Sequence, residues 1–216
     1  MSEDEVKKHY ELAPEESKSD RLKIPSLKYF WQVSPLSAGK ANNIPKFLRA
    51  LKVFEQFTDY ELKVFSSFMH ERLYANDEIV IKEGDSGFGF YLIFSGNIEI
   101  FASRTKVQDG QVENYEQFIV RLSKFEYFGE LALLEQQSKR NASAISKGSS
   151  TLLCIYKPDL EEMIERHPVI GAKFLQAIAL IVAMRFNSVT NELRNMKDKN
   201  KVLESKLEQK VDNEQN

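Results

Sequence analysis

The run Phe128-Gly129-Glu130-Leu131-Ala132-Leu133-Leu134, followed across a short polar loop by Arg140-Asn141-Ala142-Ser143-Ala144, constrains this chain more than any other stretch. Phe128 closes an apolar-alternating segment, and Gly129 lets the backbone turn or approach a ligand with no Cβ in the way. Glu130 opens a Leu-Ala-Leu-Leu turn of high helix propensity. The first amides of such a turn are expected to lack an intrachain partner, which makes them an anion site. A carboxylate beside that site must point elsewhere, for instance at a sugar hydroxyl. Arg140 presents a planar fork that suits phosphate oxygens better than an ammonium does. One stretch therefore offers amides and a guanidinium for phosphate and a carboxylate for a ribose.

At 216 residues the chain can hold one sizeable core with appendages. A formal charge of −2 gives no global field to recruit nucleic acid. Cys154 is the only cysteine and sits in the apolar run Leu152–Tyr156, so it reads as a small buried hydrophobe in a reducing compartment. Met1 to Asp20 lacks the apolar core of a signal peptide, and the apolar patch from Phe174 to Met184 reads as too short to span a bilayer. A cytoplasmic protein with neither membrane nor nucleic acid as partner is the expectation. His9, His70 and His167 have no ligand spacing, so no metal site and no cofactor are implied. Glu130 has no paired acid in its motif, Ser143 has no neighbouring histidine, and nothing supplies a nucleophile; the expectation is a binding protein, not an enzyme.

Residues 1–43 read as a charged tail, an aromatic cluster Leu27-Lys28-Tyr29-Phe30-Trp31 and a linker from Ser34. The cluster is expected to dock on its own domain, with a partner-binding patch as the alternative. From Ile44 the spacing of Phe47, Leu48, Leu51, Phe54 and Phe57 is helical, and Thr58-Asp59-Tyr60-Glu61 predicts a capped helix start. Leu62, Phe65, Phe68 and Met69 supply that second helix's buried face. Strands are predicted at Ile79–Ile81, Phe90–Phe94, Asn97–Phe101, Phe118–Leu122, Ala142–Ser146 and Leu152–Tyr156. Asp109-Gly110 is a hairpin turn inside a long polar excursion from Ser103 to Gln117. These strands imply an α+β fold: an eight-stranded β jelly-roll flanked by N-terminal helices and a long C-terminal helix. The domain organisation is 1–43 tail and docking segment, 44–156 helical lead-in and β-roll, and 157–216 C-terminal helices.

Lys157-Pro158-Asp159 starts a short helix that His167-Pro168 ends. In the next helix Ala172, Leu175, Ala179, Val182, Phe186, Val189, Leu193, Met196, Asn200, Leu203 and Leu207 alternate at steps of three and four, an a/d heptad seam. Asn200 at an a position favours a parallel pair, with Glu192 facing Lys197 and Lys199 facing Glu204 of a second copy. A homodimer is predicted; a single amphipathic helix docked on its own barrel is the alternative.

The cassette around Gly129, Glu130 and Arg140, together with Glu83-Gly84-Asp85, Tyr91-Leu92-Ile93 and Ser95-Gly96 upstream, resembles the cyclic nucleotide-binding domain family from about Ile44 to Asn195. The resemblance is to a stand-alone bacterial-type member without a helix-turn-helix. It implies a double-stranded β-helix and a cAMP or cGMP ligand, cAMP favoured. It also implies a ligand-binding set of Phe128, Gly129, Glu130, Leu131, Ala132, Arg140, Asn141, Ala142, Arg185, Val189 and Thr190. Within it Glu130 would accept the ribose 2′-hydroxyl and Arg140 would pair with the cyclic phosphate. Amides around Leu131, Ala132, Asn141 and Ala142 would complete the phosphate cage, and Arg185 to Thr190 would close over the purine. In bacterial relatives the long helix forms the dimer seam. The implied function is a sensor that relays occupancy to a separate, unidentified protein effector. A ligand-free scaffold is the second reading and a DNA-binding regulator a third.

Overall fold

The structure is a computed structural model and describes residues 44–108, 111–135 and 139–214. The tail, the Leu27–Trp31 cluster, the linker and the Asp109-Gly110 turn lie outside the described residues, as does the side chain of Leu207. Helix α1 (Ile44–Arg49) buries Ile44, Phe47 and Leu48. The expected continuous helix breaks there into a 3₁₀ turn at Lys52–Phe54, although Leu51, Phe54 and Phe57 are all buried as the spacing predicts. Arg49 ties the broken pieces together. Its Nη1 donates to Phe57 O at 2.6 Å and its Nη2 to Asp59 Oδ1 at 2.7 Å.

Helix α2 (Asp59–Ser66) starts where the sequence places it, on a reciprocal capping box. Thr58 Oγ1 accepts from Glu61 N, and Glu61 Oε2 accepts from Thr58 N at 2.7 Å. Glu61 also receives Lys173 Nζ at 2.7 Å on both oxygens, and the same ammonium reaches Gln56 O at 3.0 Å.

Six antiparallel strands make one sheet among the described residues: β1 (His70–Tyr74), β2 (Ile79–Ile81), β3 (Gly89–Gln108), β4 (Gln111–Leu122), β5 (Tyr127–Phe128) and β6 (Ser143–Tyr156). The order is β1-β6-β3-β4, with β2 pairing β6 and β5 pairing β3. The α+β class and the flanking helices stand, and the described residues form six strands where eight were expected. Two pairs of predicted strands are each one continuous ladder: β3 absorbs Phe90–Phe94 and Asn97–Phe101, and β6 absorbs all but the first residue of Ala142–Ser146 together with Leu152–Tyr156. The chain bends at register shifts between Ile93 and Ser95 and between Ser95 and Asn97, so a bulge takes the place of a strand end. The described arms of the polar excursion, 103–108 and 111–117, are likewise strand, paired in register from Ala102↔Gln117 to Gln108↔Gln111. Strand β1 was not expected: His-Glu-Arg-Leu-Tyr has no apolar alternation, and its ladder to Cys154–Ser150 of β6 defines it.

Inside the sheet Tyr91, Ile93, Ile98, Leu152, Cys154 and Tyr156 are among the buried core. A second, aromatic cluster joins the helices to the sheet: Phe174 lies 4.9 Å from Phe65, 6.5 Å from Phe54 and 6.0 Å from Phe90. After β6 come α4 (Lys157–Arg166), which the helix α3 (Leu131–Leu134) precedes in the chain, and α5 (Pro168–Glu214). Asp159 Oδ2 accepts from Tyr156 N at 2.8 Å and caps α4, while His70 Nε2 stands 3.0 Å from both Asp159 oxygens.

The chain divides into two compact units, the second beginning at Gln176 within α5. Over Pro168–Glu204 this helix contains an 18-residue window of mean hydropathy 1.8, a third of it buried, and so passes a length-and-composition test for crossing a membrane. That exceeds the Phe174–Met184 patch seen as too short. The first turns of the same helix hold Phe174 in the aromatic cluster and Lys173 in an ion pair.

The Lys173 ammonium, and then the Thr58 amide, hold the Glu61 carboxyl below its ordinary 4.5. A lowered folded-state value adds stability above about pH 4.5 that is lost as pH falls through the lowered value. Glu61→Gln should therefore lower the thermal midpoint at pH 7 by about 2–4 °C and flatten its fall on the acid side; an acid limb identical to wild type would rule this pair out as its source.

Candidate functional site

The cassette is held by a second segment 40 to 60 residues earlier in the chain. Glu83 N donates to Ser143 Oγ at 3.0 Å, Gly84 N to Arg140 O at 2.8 Å, and Arg140 N to Asp85 O at 2.8 Å. Ser86 and Lys139 add an isolated bridge. This backbone clasp is why Glu83-Gly84-Asp85 and Arg140-Asn141 work as a pair: each satisfies main-chain groups that the other would otherwise leave to water.

The clasp delivers the Arg140 side chain inward, where the residue is only 6 % exposed. Its Nη2 donates to Gly89 O at 2.9 Å and its Nη1 to Gly129 O at 3.3 Å, and the guanidinium lies 5.7 Å from the Tyr91 ring centroid. Tyr91 in turn stacks on Phe128 at 5.1 Å. Two glycines make this arrangement possible. A Cβ on Gly87 would sit 2.7 Å from Arg140 Nε, and one on Gly129 would sit 2.8 Å from Nη1 and 2.7 Å from Gly89 O. Gly129 also holds φ +82°, which an L side chain rarely adopts.

Glu130 follows directly and is 4 % exposed. It takes the helical backbone conformation at the start of α3, and its carboxylate does not cap that helix. A carboxylate and a guanidinium are thus buried on one short cassette. Burying charge is costly unless it is compensated, and nothing about a β-sheet as such demands it.

The expectation about α3's first amides is corrected in part. Ala132 N donates to Gly129 O at 3.2 Å and Leu133 N to Glu130 O at 3.1 Å, because Gly129 and Glu130 already place their carbonyls beneath the turn. These amides have intrachain partners, so Ala132 offers less to an anion than supposed. Leu131 is exposed, Phe128 and Ala132 are buried, Asn141 is exposed, and Ala142 is half-buried at the entry to β6.

Arg185, Val189 and Thr190 belong to the second unit and stand on α5. Arg185 and Val189 are exposed; the Thr190 hydroxyl donates to Phe186 O at 2.9 Å along the helix. The structure thus brings Phe128 to Ala142 together within the first unit.

Gly87, Gly89 and Tyr91 are site residues that sequence reasoning missed. Three glycines within Gly84–Gly89 are the usable sign of close backbone approach in the sequence. A Cβ on Gly89 would meet the Tyr156 ring at 2.9 Å. Burial, and then Cys154 beside it, pushes the Tyr156 phenol up, so it stays a neutral hydroxyl throughout the working pH range.

Residues 71–167 match the family model described as the cyclic nucleotide-binding domain. The cyclic AMP receptor protein of Thermus thermophilus is 26 % identical over 146 residues, covering 68 % of this chain and 62 % of that protein. A cAMP-dependent protein kinase regulatory subunit of Mycosarcoma maydis is 33 % identical over 105 residues, covering 49 % of this chain and 18 % of that one. The crystal structure of the Thermus thermophilus catabolite activator protein superposes with a TM-score of 0.55 at 27 % identity, covering 67 % of this chain and 62 % of that chain. The chain spans less than two thirds of the length of these relatives. The clasped cassette and these matches agree: residues 71–167 of this chain are similar to the cyclic nucleotide-binding domain family.

Proposed function

We propose that this protein is a cytoplasmic cyclic nucleotide sensor, taking cAMP ahead of cGMP, that binds without catalysing a reaction. Arg140 pairs with the cyclic phosphate and Glu130 accepts the ribose 2′-hydroxyl. The observation that carries this reading is the burial of both charged side chains on one cassette, with the guanidinium packed against Gly87 and Gly129. A planar donor fork bordered by glycine backbone fits a small phosphodiester, because no Cβ intrudes and the two carbonyl bonds hold the fork in place. The partial engagement of α3's amides shifts weight from Ala132 to Arg140. The preference for cAMP is supported by the names of the relatives, a cyclic AMP receptor protein and a cAMP-dependent kinase regulatory subunit.

Occupancy is relayed through α4 and α5 to a separate protein effector, with the working boundary between binding domain and output helices at Tyr156/Lys157. The exposed seam of α5 pairs two copies in parallel: Phe186, Val189, Leu193, Met196 and Leu203 are all more than half exposed, with Asn200 among them. Arg185, Val189 and Thr190 close over the purine in that pair.

Calorimetric titration with cAMP and cGMP tests the pocket. Arg140→Ala should weaken binding by about ten- to a hundredfold or more, from the loss of about 1.5–3 kcal/mol of charge-assisted bonding. Glu130→Gln should narrow the gap between cAMP and 2′-deoxy-cAMP. No heat and no thermal shift with any of these ligands would instead make the protein a ligand-free scaffold.

Light scattering should give twice the 25.0 kDa chain mass, and ending the chain at Arg185 should return it to the single-chain mass. A single-chain mass for the full protein at micromolar concentration sinks the parallel pair.

A further inference from the structure

The hairpin of β3 and β4 carries an apolar surface that the nucleotide site does not use. β3 pairs with β6 only as far as Phe101↔Ser143; beyond Ala102↔Gln117 the described arms of the hairpin pair with each other alone. β4 is the last strand in the sheet order, so its outer edge has no neighbouring strand among the described residues. A two-stranded ribbon is marginal by itself in water. This one nonetheless exposes Val112 by 68 %, Phe118 by 50 % and Tyr115 by 46 %, with Ile119 and Val120 also exposed. A long apolar strand with an open edge is a template for another strand.

We propose that residues Ser26–Val33 of this same chain add to the open edge of β4. Attachment is the first argument. α1 begins at Ile44, and the Phe47 ring stacks at 5.0 Å on Phe125, three residues past the end of β4. The preceding chain therefore leaves from the Leu122 end of that strand. Reach is the second. Ten residues, 34–43, span at most about 33–36 Å, against about 40 Å for a strand the length of β4. Val33 can accordingly reach most of the length of β4 from its Leu122 end.

Composition is the third argument. Ser26-Leu27-Lys28-Tyr29-Phe30-Trp31-Gln32-Val33 has neither Pro nor Gly, is bounded by Pro25 and Pro35, and is dense in residues that favour a pleated surface. Charge is the fourth. β4 exposes Glu113 and Glu116, while Lys18, Arg21, Lys23 and Lys28 outnumber Asp20 across 18–28. A second copy of β4 on the same edge would set those glutamates near their own counterparts, which is unfavourable.

Trp31 is the only tryptophan and reports directly on the docking. In the full-length chain its emission should be that of a buried indole, poorly quenched by acrylamide. Phe118→Lys should shift it to the red and raise quenching at least twofold. Tyr29→Lys should do the same from the other partner with the thermal midpoint of the domain retained, which keeps the test valid should Phe118→Lys not fold. A water-exposed indole in the unaltered chain overturns the proposal. So does a buried indole that neither variant moves. A mass halved by Phe118→Lys with Trp31 emission unchanged overturns it in favour of a second copy on this edge. The readout is independent of cAMP binding, so it stands or falls apart from the pocket.

Discussion

Strand β6 is the member on which the rest of the domain depends, because β1, β2 and β3 all hydrogen-bond to it. Its apolar residues from Leu152 to Tyr156 are buried without interruption. It also connects the two regions where chemistry and movement would be expected. At its start, Ser143 receives the Glu83 amide three residues after Arg140. At its end, Tyr156 becomes the cap of α4 through Asp159, and His70 of β1 braces that same carboxylate. Close-packed strands carry displacement better than they absorb it. A force on the cassette therefore has a stiff path to the first turn of α4, which an exposed loop would not provide.

Two sets of partly or wholly buried charge do different work in this frame. Glu61 and Lys173 neutralise each other and fasten the start of α5 to the helical lead-in, so their contribution is structural. Arg140 is instead oriented by two carbonyl oxygens, Gly89 O and Gly129 O. The fork is consequently fixed before any anion arrives, which lowers the entropy lost on binding one.

The cassette was legible in the sequence because its requirements are local: glycine at a positive φ, an acid beside it and an arginine after a short loop. The capping boxes of α2 and the extent of α4 were legible for the same reason. The number of strands was not. Whether a glycine-marked interruption ends a strand or only bends it is decided by the partner ladder, and β6 continues pairing through the bulge at Ser95. β1 escaped notice because five polar and apolar residues without alternation acquire strand geometry only from Cys154–Ser150 opposite them. The engagement of Ala132 N was equally hidden, since it follows from where the Gly129 carbonyl points.

Helix α5 meets two environments along its length. Its first turns bury Ile170 and Phe174. Farther on, Phe186, Val189, Leu193 and Met196 stand more than half exposed at seam spacing. Covering this stripe with hydrocarbon would take Glu192 and Arg194 out of water, and Lys197, Asp198, Lys199 and Lys201 follow directly. In the proposed pair, a second helix would cover only the a and d positions and leave these charges solvated. A lone Asn200 in the seam points the same way, because an amide facing its own counterpart is satisfied between helices and unsatisfied among lipid tails.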